Sequence, residues 1–153
     1  MQLNQYAWLD EPKAKIGANL PPAMLMHGLT GVGKRTLALH LAQSALCEKV
    51  SLLQTPCETC PSCHLFQAET HPDFKILSND ESDASADDVR ASTNKKTKQV
   101  IGVKTVRELG TFCYTKPHRG HAKIIIIDPA DNLNQNASND LLKNLEEQPE
   151  FLH

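Results

Sequence analysis

The apolar positions of this chain change period several times, and each change marks an element. After the breaker Leu20-Pro21-Pro22, the run Ala23-Met24-Leu25-Met26-His27 is short, apolar and closed by a Gly-rich turn, which predicts a buried strand. From Lys34 to Cys47 the residues Leu37, Ala38, Leu41, Ala42, Ala45 and Leu46 recur at spacings of three and four, which predicts a helix with one packed face. Phe74-Lys75-Ile76-Leu77 predicts a second strand. Val103, Val106, Leu109 and Cys113 share a face and predict a helix over about 103–113, weakened by Gly110. Lys123-Ile124-Ile125-Ile126-Ile127-Asp128 is a continuous β-branched run, the kind buried on both faces of a parallel sheet. A last helix is predicted over Asn136 to Glu147, with Ala137, Leu141, Leu142 and Leu145 inward and Pro149 closing it.

Strands alternating with helices imply βαβ units, so the predicted class is α/β, a three-layer parallel sheet. Two segments break the alternation. Thr55 to Cys63 holds three Cys and two Pro, and Ser78 to Gln99 runs from an acidic half (Asp80, Glu81, Asp83, Asp87, Asp88) to a basic one (Arg90, Lys95, Lys96, Lys98). The second carries no periodicity and too little apolar surface to offset the cost of ordering, which predicts a flexible surface insertion over 78–99.

At 153 residues the chain has room for about one domain. With 40% apolar but only 5% aromatic residues, its core must rest on Leu, Ile, Val and Ala. A net charge of −2 lacks the basic footprint of an autonomous nucleic-acid or anionic-membrane binder, so DNA contact would be shared with partners. Neither a signal peptide at Met1-Gln2-Leu3-Asn4-Gln5-Tyr6-Ala7-Trp8 nor a membrane span is predicted, and a cytoplasmic setting is expected. In that reducing setting the five Cys are metal ligands or free thiols before they are disulfides.

Gly28-Leu29-Thr30-Gly31-Val32-Gly33-Lys34 matches G-x-x-x-x-G-K between a predicted strand and a helix, the context of a phosphate-binding loop. Gly28, Gly31 and Gly33 let backbone N–H groups turn toward one anion, the helix N-terminus adds its dipole, and Lys34 reaches the outer phosphates. The position after Lys34 calls for a Ser or Thr hydroxyl on Mg²⁺, and it is Arg35. Thr36 is rotated by about 100° from that place and does not simply replace it. Asp128, ending the Ile run, suits the metal-coordinating carboxylate of a Walker B strand, yet the neighbouring position that would activate water is Pro129, and Asp131 lies three residues on. The loop is therefore predicted to have lost hydrolysis, with no catalytic residue assigned and binding of ATP and Mg²⁺ in doubt on chemical grounds.

Cys57-Glu58-Thr59-Cys60-Pro61-Ser62-Cys63 places three thiols at C-x₂-C-x₂-C spacing, with Cys47 ten residues upstream. Four thiolates complete a tetrahedral, closed Zn²⁺ site, the pattern of a structural metal. The iron–sulfur run C-x₂-C-x₂-C-x₃-C-P begins alike but has Gln67 where its fourth Cys belongs. Cys47, Cys57, Cys60 and Cys63 are thus the expected zinc ligands, with His64 as an alternate. Cys113 is expected in the core, and His71 to shape the turn into the second strand.

Four stretches together resemble the delta-prime family of bacterial DNA polymerase III clamp-loader subunits, related to gamma/tau. They are Tyr6-Ala7-Trp8-Leu9; Gly31-Val32-Gly33-Lys34-Arg35; the four-Cys module with Glu69-Thr70-His71-Pro72-Asp73; and Asn139-Asp140-Leu141-Leu142-Lys143-Asn144-Leu145-Glu146-Glu147-Gln148-Pro149. The resemblance implies a P-loop AAA+ (RecA-like) domain with a zinc module inserted over 47–63. It also implies a non-hydrolysing, stator-like role in loading the sliding clamp onto primed DNA. Implied partners are the gamma/tau and delta subunits, the clamp and primer-template DNA, within a DNA-directed DNA polymerase (nucleotidyltransferase) holoenzyme whose polymerase and ATPase chemistry lie elsewhere. The family's Ser-Arg-Cys motif, lid and C-terminal oligomerisation domain have no counterpart in these residues, so an incomplete AAA+ module is expected over 1–153. Two other readings compete. One is an active motor ATPase of the gamma/tau kind. The other is a P-loop nucleotide kinase with a zinc-containing lid, against which the lack of an Arg-rich substrate lid counts.

Overall fold

A computed structural model describes residues 20–49, 55–78, 103–119 and 122–146. Its elements in chain order are α1 (Lys34–Leu46), α2 (Pro61–Gln67), β1 (Phe74–Ser78), α3 (Val103–Tyr114), β2 (Ile124–Asp128), a 3₁₀ turn (Ala130–Asn132) and α4 (Gln135–Glu146). β1 and β2 pair in parallel, with Phe74 opposite Ile124 and Ser78 opposite Asp128. Because successive strand side chains face opposite ways, this register sorts the apolar residues into two sets. Phe74, Ile124 and Ile126 pack with Ala42, Ala45 and Leu46 of α1 and with Phe66, whose ring centroid lies 4.6 Å from that of Phe74. Leu77, Ile125 and Ile127 pack on the other face with Val106, Leu109 and Cys113 of α3 and Ala137 and Leu141 of α4. The sheet is therefore covered by helix on both sides, as an α/β chain with a βαβ connection requires.

α3 and α4 follow the apolar period through Val106, Leu109, Cys113, Ala137 and Leu141, whereas α1, expected to pack one face, also buries His40, Gln43 and Ser44 and is enclosed on more than one side. α3 survives Gly110, at a cost of about 1 kcal/mol relative to Ala, because the Val106–Leu109–Cys113 stripe is fully packed. α4 begins at Gln135, where Asn134 caps it by accepting the Ala137 N–H at 2.7 Å.

Several expectations change. Ala23–His27 forms no strand: Leu25 is 79% exposed, and β1 with β2 is the ladder found among the described residues, which leaves the run no strand partner there. A strand exists only through such pairing, whatever its apolar content. In place of a larger parallel sheet, two strands pair among the described residues. β2 is less enclosed than its Ile run suggests, since only Ile124 is buried and the next four residues are half-buried. Leu142 points outward at 56% exposure, because the packed stripe of α4 follows Ala137 and Leu141 and a residue one step on is turned by about 100°. The Cys-rich loop of 55–63 gives way at Pro61 to α2, for which Pro at the first helical position was the available signal. Ser78, expected to open the polar insertion, is instead the last residue of β1 and pairs with Asp128; residues 79–99 of that insertion lie outside the described residues, as do the lead-in with Tyr6–Leu9 and the Glu147–Pro149 end of the last motif. No helix of the described residues is long and apolar enough to cross a membrane.

Candidate metal centre and phosphate loop

The four cysteines arrive from two directions. Cys47 ends α1, its N–H bonded back to Ser44, while Cys57 and Cys60 flank a tight knuckle in which Glu58 adopts φ 55°. Cys60 then caps α2, accepting the Cys63 N–H on its sulfur at 3.4 Å. The sulfurs converge, with Cys47–Cys57 3.5 Å, Cys47–Cys60 3.9 Å and Cys57–Cys63 4.0 Å apart, and all four within 4.8 Å of one another. A tetrahedral ion with bonds of about 2.3 Å to sulfur needs S···S edges of about 3.8 Å, so the donor set fits Zn²⁺ in size and chemistry. None of the five cysteines is in a disulfide. His64, the alternate ligand, is exposed on α2 and lies outside the group, because the turn that brings Cys63 inward carries the next residue away.

Backbone dipoles prepare these sulfurs unequally. The Thr59 N–H facing Cys57 brings its thiol down to about 6, against a smaller opposing effect of burial. Burial raises Cys60, but N–H groups of Glu48 and Cys63 outweigh it and leave the thiol below its usual value. Cys63 is driven up, chiefly by burial and then by hydrogen bonds to Cys60 and Cys47, as expected where several thiols crowd one point and only a cation relieves them.

Behind the module runs a closed set of polar contacts. Ser62 donates to the Leu46 carbonyl at 2.6 Å, satisfying the end of α1, so its oxygen accepts from His71 Nε2 at 2.7 Å. His71 Nδ1 in turn accepts the Asp73 N–H at 3.1 Å, which fixes the neutral Nε2–H tautomer, and burial lowers its pKa despite the Asp73 carboxylate nearby. Asp73 is fully buried and accepts the N–H groups of His118 at 2.7 Å and Arg119 at 2.8 Å. The Arg119 side chain returns to Glu48 at 3.4 Å, beside Cys47. His71 thus does shape the turn into β1, and also joins α1, α2 and the 118–119 turn. The buried charges Asp73 and Lys123 are the residues that sequence reasoning missed. Lys123 looks like the first residue of a strand, yet its Nζ donates to the Phe112 carbonyl at 2.9 Å and to Thr115 at the end of α3, and lies 4.3 Å from the Phe112 ring. The signal for Asp73 was a carboxylate set between a proline and an apolar strand.

The phosphate loop has its glycine geometry. Gly31 and Gly33 sit at φ 83° and 94°, a region closed to most side chains, and Gly33 leads directly into α1. Lys34 lies over the loop, donating to the carbonyls of Gly28 at 2.9 Å and Leu29 at 2.8 Å. Gly28 to Gly31 are exposed. The parallel register carries Asp128 to the end of β2 near the start of α1, where its Oδ2 stands 3.6 Å from Nη1 of Arg35. Of the predicted site residues, the structure brings the four cysteines together, and brings Asp128 to Arg35. The Asp128–Pro129 peptide is cis, and Asp131 is exposed in the 3₁₀ turn. The residues present do not fit Mg²⁺, since a guanidinium stands against the carboxylate and no hydroxyl follows Lys34.

A parallel α/β unit with a cluster of four cysteines able to hold a metal after its first helix and a glycine loop at that helix's start is the class the geometry defines. Residues 12–152 match the family described as DNA polymerase III, delta subunit, and the chain belongs to it. It is similar to DNA polymerase III subunit delta-prime of Pseudomonas aeruginosa, 33% identical over 93% of this chain and 39% of that one. The subunit of the same name from Yersinia pestis is 33% identical over 97% and 40%. The chain thus spans about two fifths of the length of these curated relatives. Among solved structures, a DNA polymerase III gamma subunit-related protein from Thermotoga maritima matches with a TM-score of 0.38 at 19% identity, over 57% of this chain and 26% of that one.

Proposed function

We propose that the chain is the N-terminal part of a clamp-loader subunit of the DNA polymerase III holoenzyme. It helps load the sliding clamp onto primed DNA during replication and does not itself hydrolyse ATP. Family membership supports the clamp-loader reading. The Arg35–Asp128 pair at the place of a metal supports the non-hydrolysing one, and is the single observation that separates this reading from the motor ATPase. In this proposal residues 1–153 belong to an AAA+ P-loop domain and 47–63 form a Cys₄ module holding a structural Zn²⁺. The polar stretch after β1, residues 79–99, is a surface insertion.

Cys47, Cys57, Cys60 and Cys63 would hold the zinc, which supplies no reaction chemistry but fixes α2 against the end of α1. Gly28, Gly31, Gly33 and Lys34 keep the form of a phosphate cradle, and Asp128 keeps the Walker B place without its partner base. The partners are the gamma/tau and delta subunits, with the clamp and primer-template DNA reached through the assembly. The net charge of −2 fits a subunit that offers protein surface and leaves DNA contact to its neighbours. The setting is the cytoplasm.

Reconstitution tests this. Full-length protein should co-elute with gamma/tau and delta, and its omission should abolish clamp loading on primed DNA. Complete loading activity in its absence would overturn the reading.

A further inference from the structure

A metal-dependent phosphate loop brings two oxygen ligands to one cation, a hydroxyl at the start of the helix and a carboxylate at the end of a neighbouring strand. In this chain both places are filled, but by a self-neutralising pair. Arg35, one residue into α1, sets Nη1 3.6 Å from Oδ2 of Asp128, the last residue of β2. We infer that the Arg35 guanidinium is a built-in cation standing in the divalent metal's place, and that it keeps metal out of the phosphate loop. This rests on the non-hydrolysing reading above and names the residue responsible.

Three observations carry it. Mg²⁺ demands near-octahedral oxygen ligands at about 2.0–2.1 Å, so it reaches Asp128 only by displacing the guanidinium, and then meets its positive charge at short range. The guanidinium carries donors only and no acceptor, so in the hydroxyl's place it offers a metal no ligand atom. The loop itself stays available: Gly28 to Gly31 are exposed, and a side-chain carbon built on Gly31 meets nothing within 4 Å. What Arg35 changes is therefore the metal requirement, while the glycine cradle keeps its form. The pair is partly exposed, at 48% for Arg35 and 38% for Asp128, so its own contribution to stability is small and its consequence is electrostatic.

The test uses full-length protein and a fluorescent probe, N-methylanthraniloyl-ADP, titrated in Mg²⁺ and again in EDTA. The wild type should show the same affinity in both to within about twofold, equal weakness included. Arg35→Thr restores a hydroxyl and frees Asp128, and should bind about tenfold or more tightly with Mg²⁺ than with EDTA. Arg35→Gln removes the charge while keeping length and helix propensity, and should move the same way, which covers a failure of the first variant to fold. Arg35→Lys keeps the cation and should stay metal-indifferent. A wild type that gains about tenfold from Mg²⁺ overturns the inference, as do neutral variants that gain nothing, or a Lys variant that gains as much as Thr. A wild type whose affinity rises about tenfold with Mg²⁺ while it hydrolyses no ATP would sink this inference alone, and leave the non-hydrolysing reading in place.

Discussion

The two ends of α1 carry two motifs of equal clarity in sequence and opposite completeness in structure. At its C-terminal end four sulfurs converge to the spacing of a tetrahedral ion, with backbone N–H groups already aimed at them and a buried polar ring holding the module to the sheet. At its N-terminal end the glycine loop keeps its shape, but the groups that would do chemistry are an arginine and a proline. The difference teaches that a loop's backbone form and its reactive side chains are separable. Backbone form follows from glycine spacing, while metal and base chemistry depend on two further positions that can change without disturbing the turn.

The contrast is broken most severely at the metal end. Cys60→Ser should drop zinc from about one per chain to a small fraction by elemental analysis. Hydrogen exchange should rise across α2 and Cys57–Cys63 before it rises in β1 and β2, because metal binding free energy there, on the order of 10 kcal/mol in small zinc modules, is local folding energy. Asp73→Ala comes next. It strips the N–H groups of His118 and Arg119 of a charged, buried acceptor and should cost about 2–3 kcal/mol by denaturant unfolding, with Asp73→Asn milder. His71 gives a pH signature. Its folded-state pKa lies below its unfolded one, so the unfolded chain binds the extra proton first. Stability is then fully present above about pH 6.5 and falls as pH drops from there toward the lower folded value, by at most about 1.4 kcal/mol per pH unit. The stability difference between wild type and His71→Gln should therefore shrink below pH 6.5 and stay flat above it. Gly110→Ala should stabilise by about 0.5–1 kcal/mol, since the added carbon meets nothing within 4 Å in a helix interior. At the other end of α1, Arg35→Ala should move stability by about 0.5 kcal/mol or less.

What the sequence discloses follows the same division. The period of Leu37, Leu41, Val106, Leu109 and Cys113 located α1 and α3, and the Ile run located β2, because burial of a regular element leaves its own period in the chain. Cysteine spacing located the module, because four ligands on one small ion leave little freedom. Ala23–His27 misled because apolar content does not supply a strand partner. Asp73 and Lys123 were hidden because a buried charge is permitted by partners distant in sequence, the N–H groups of residues 118–119 and the carbonyl of Phe112, which no local pattern announces.

In the proposed function this subunit would take part in clamp loading without ATP chemistry of its own. ATP turnover by the full-length protein, assembled with partner subunits whose own phosphate loops are inactivated, tests it most directly. Turnover should be indistinguishable from that of the assembly lacking this subunit. Turnover that appears with this subunit and vanishes in Lys34→Ala would contradict it.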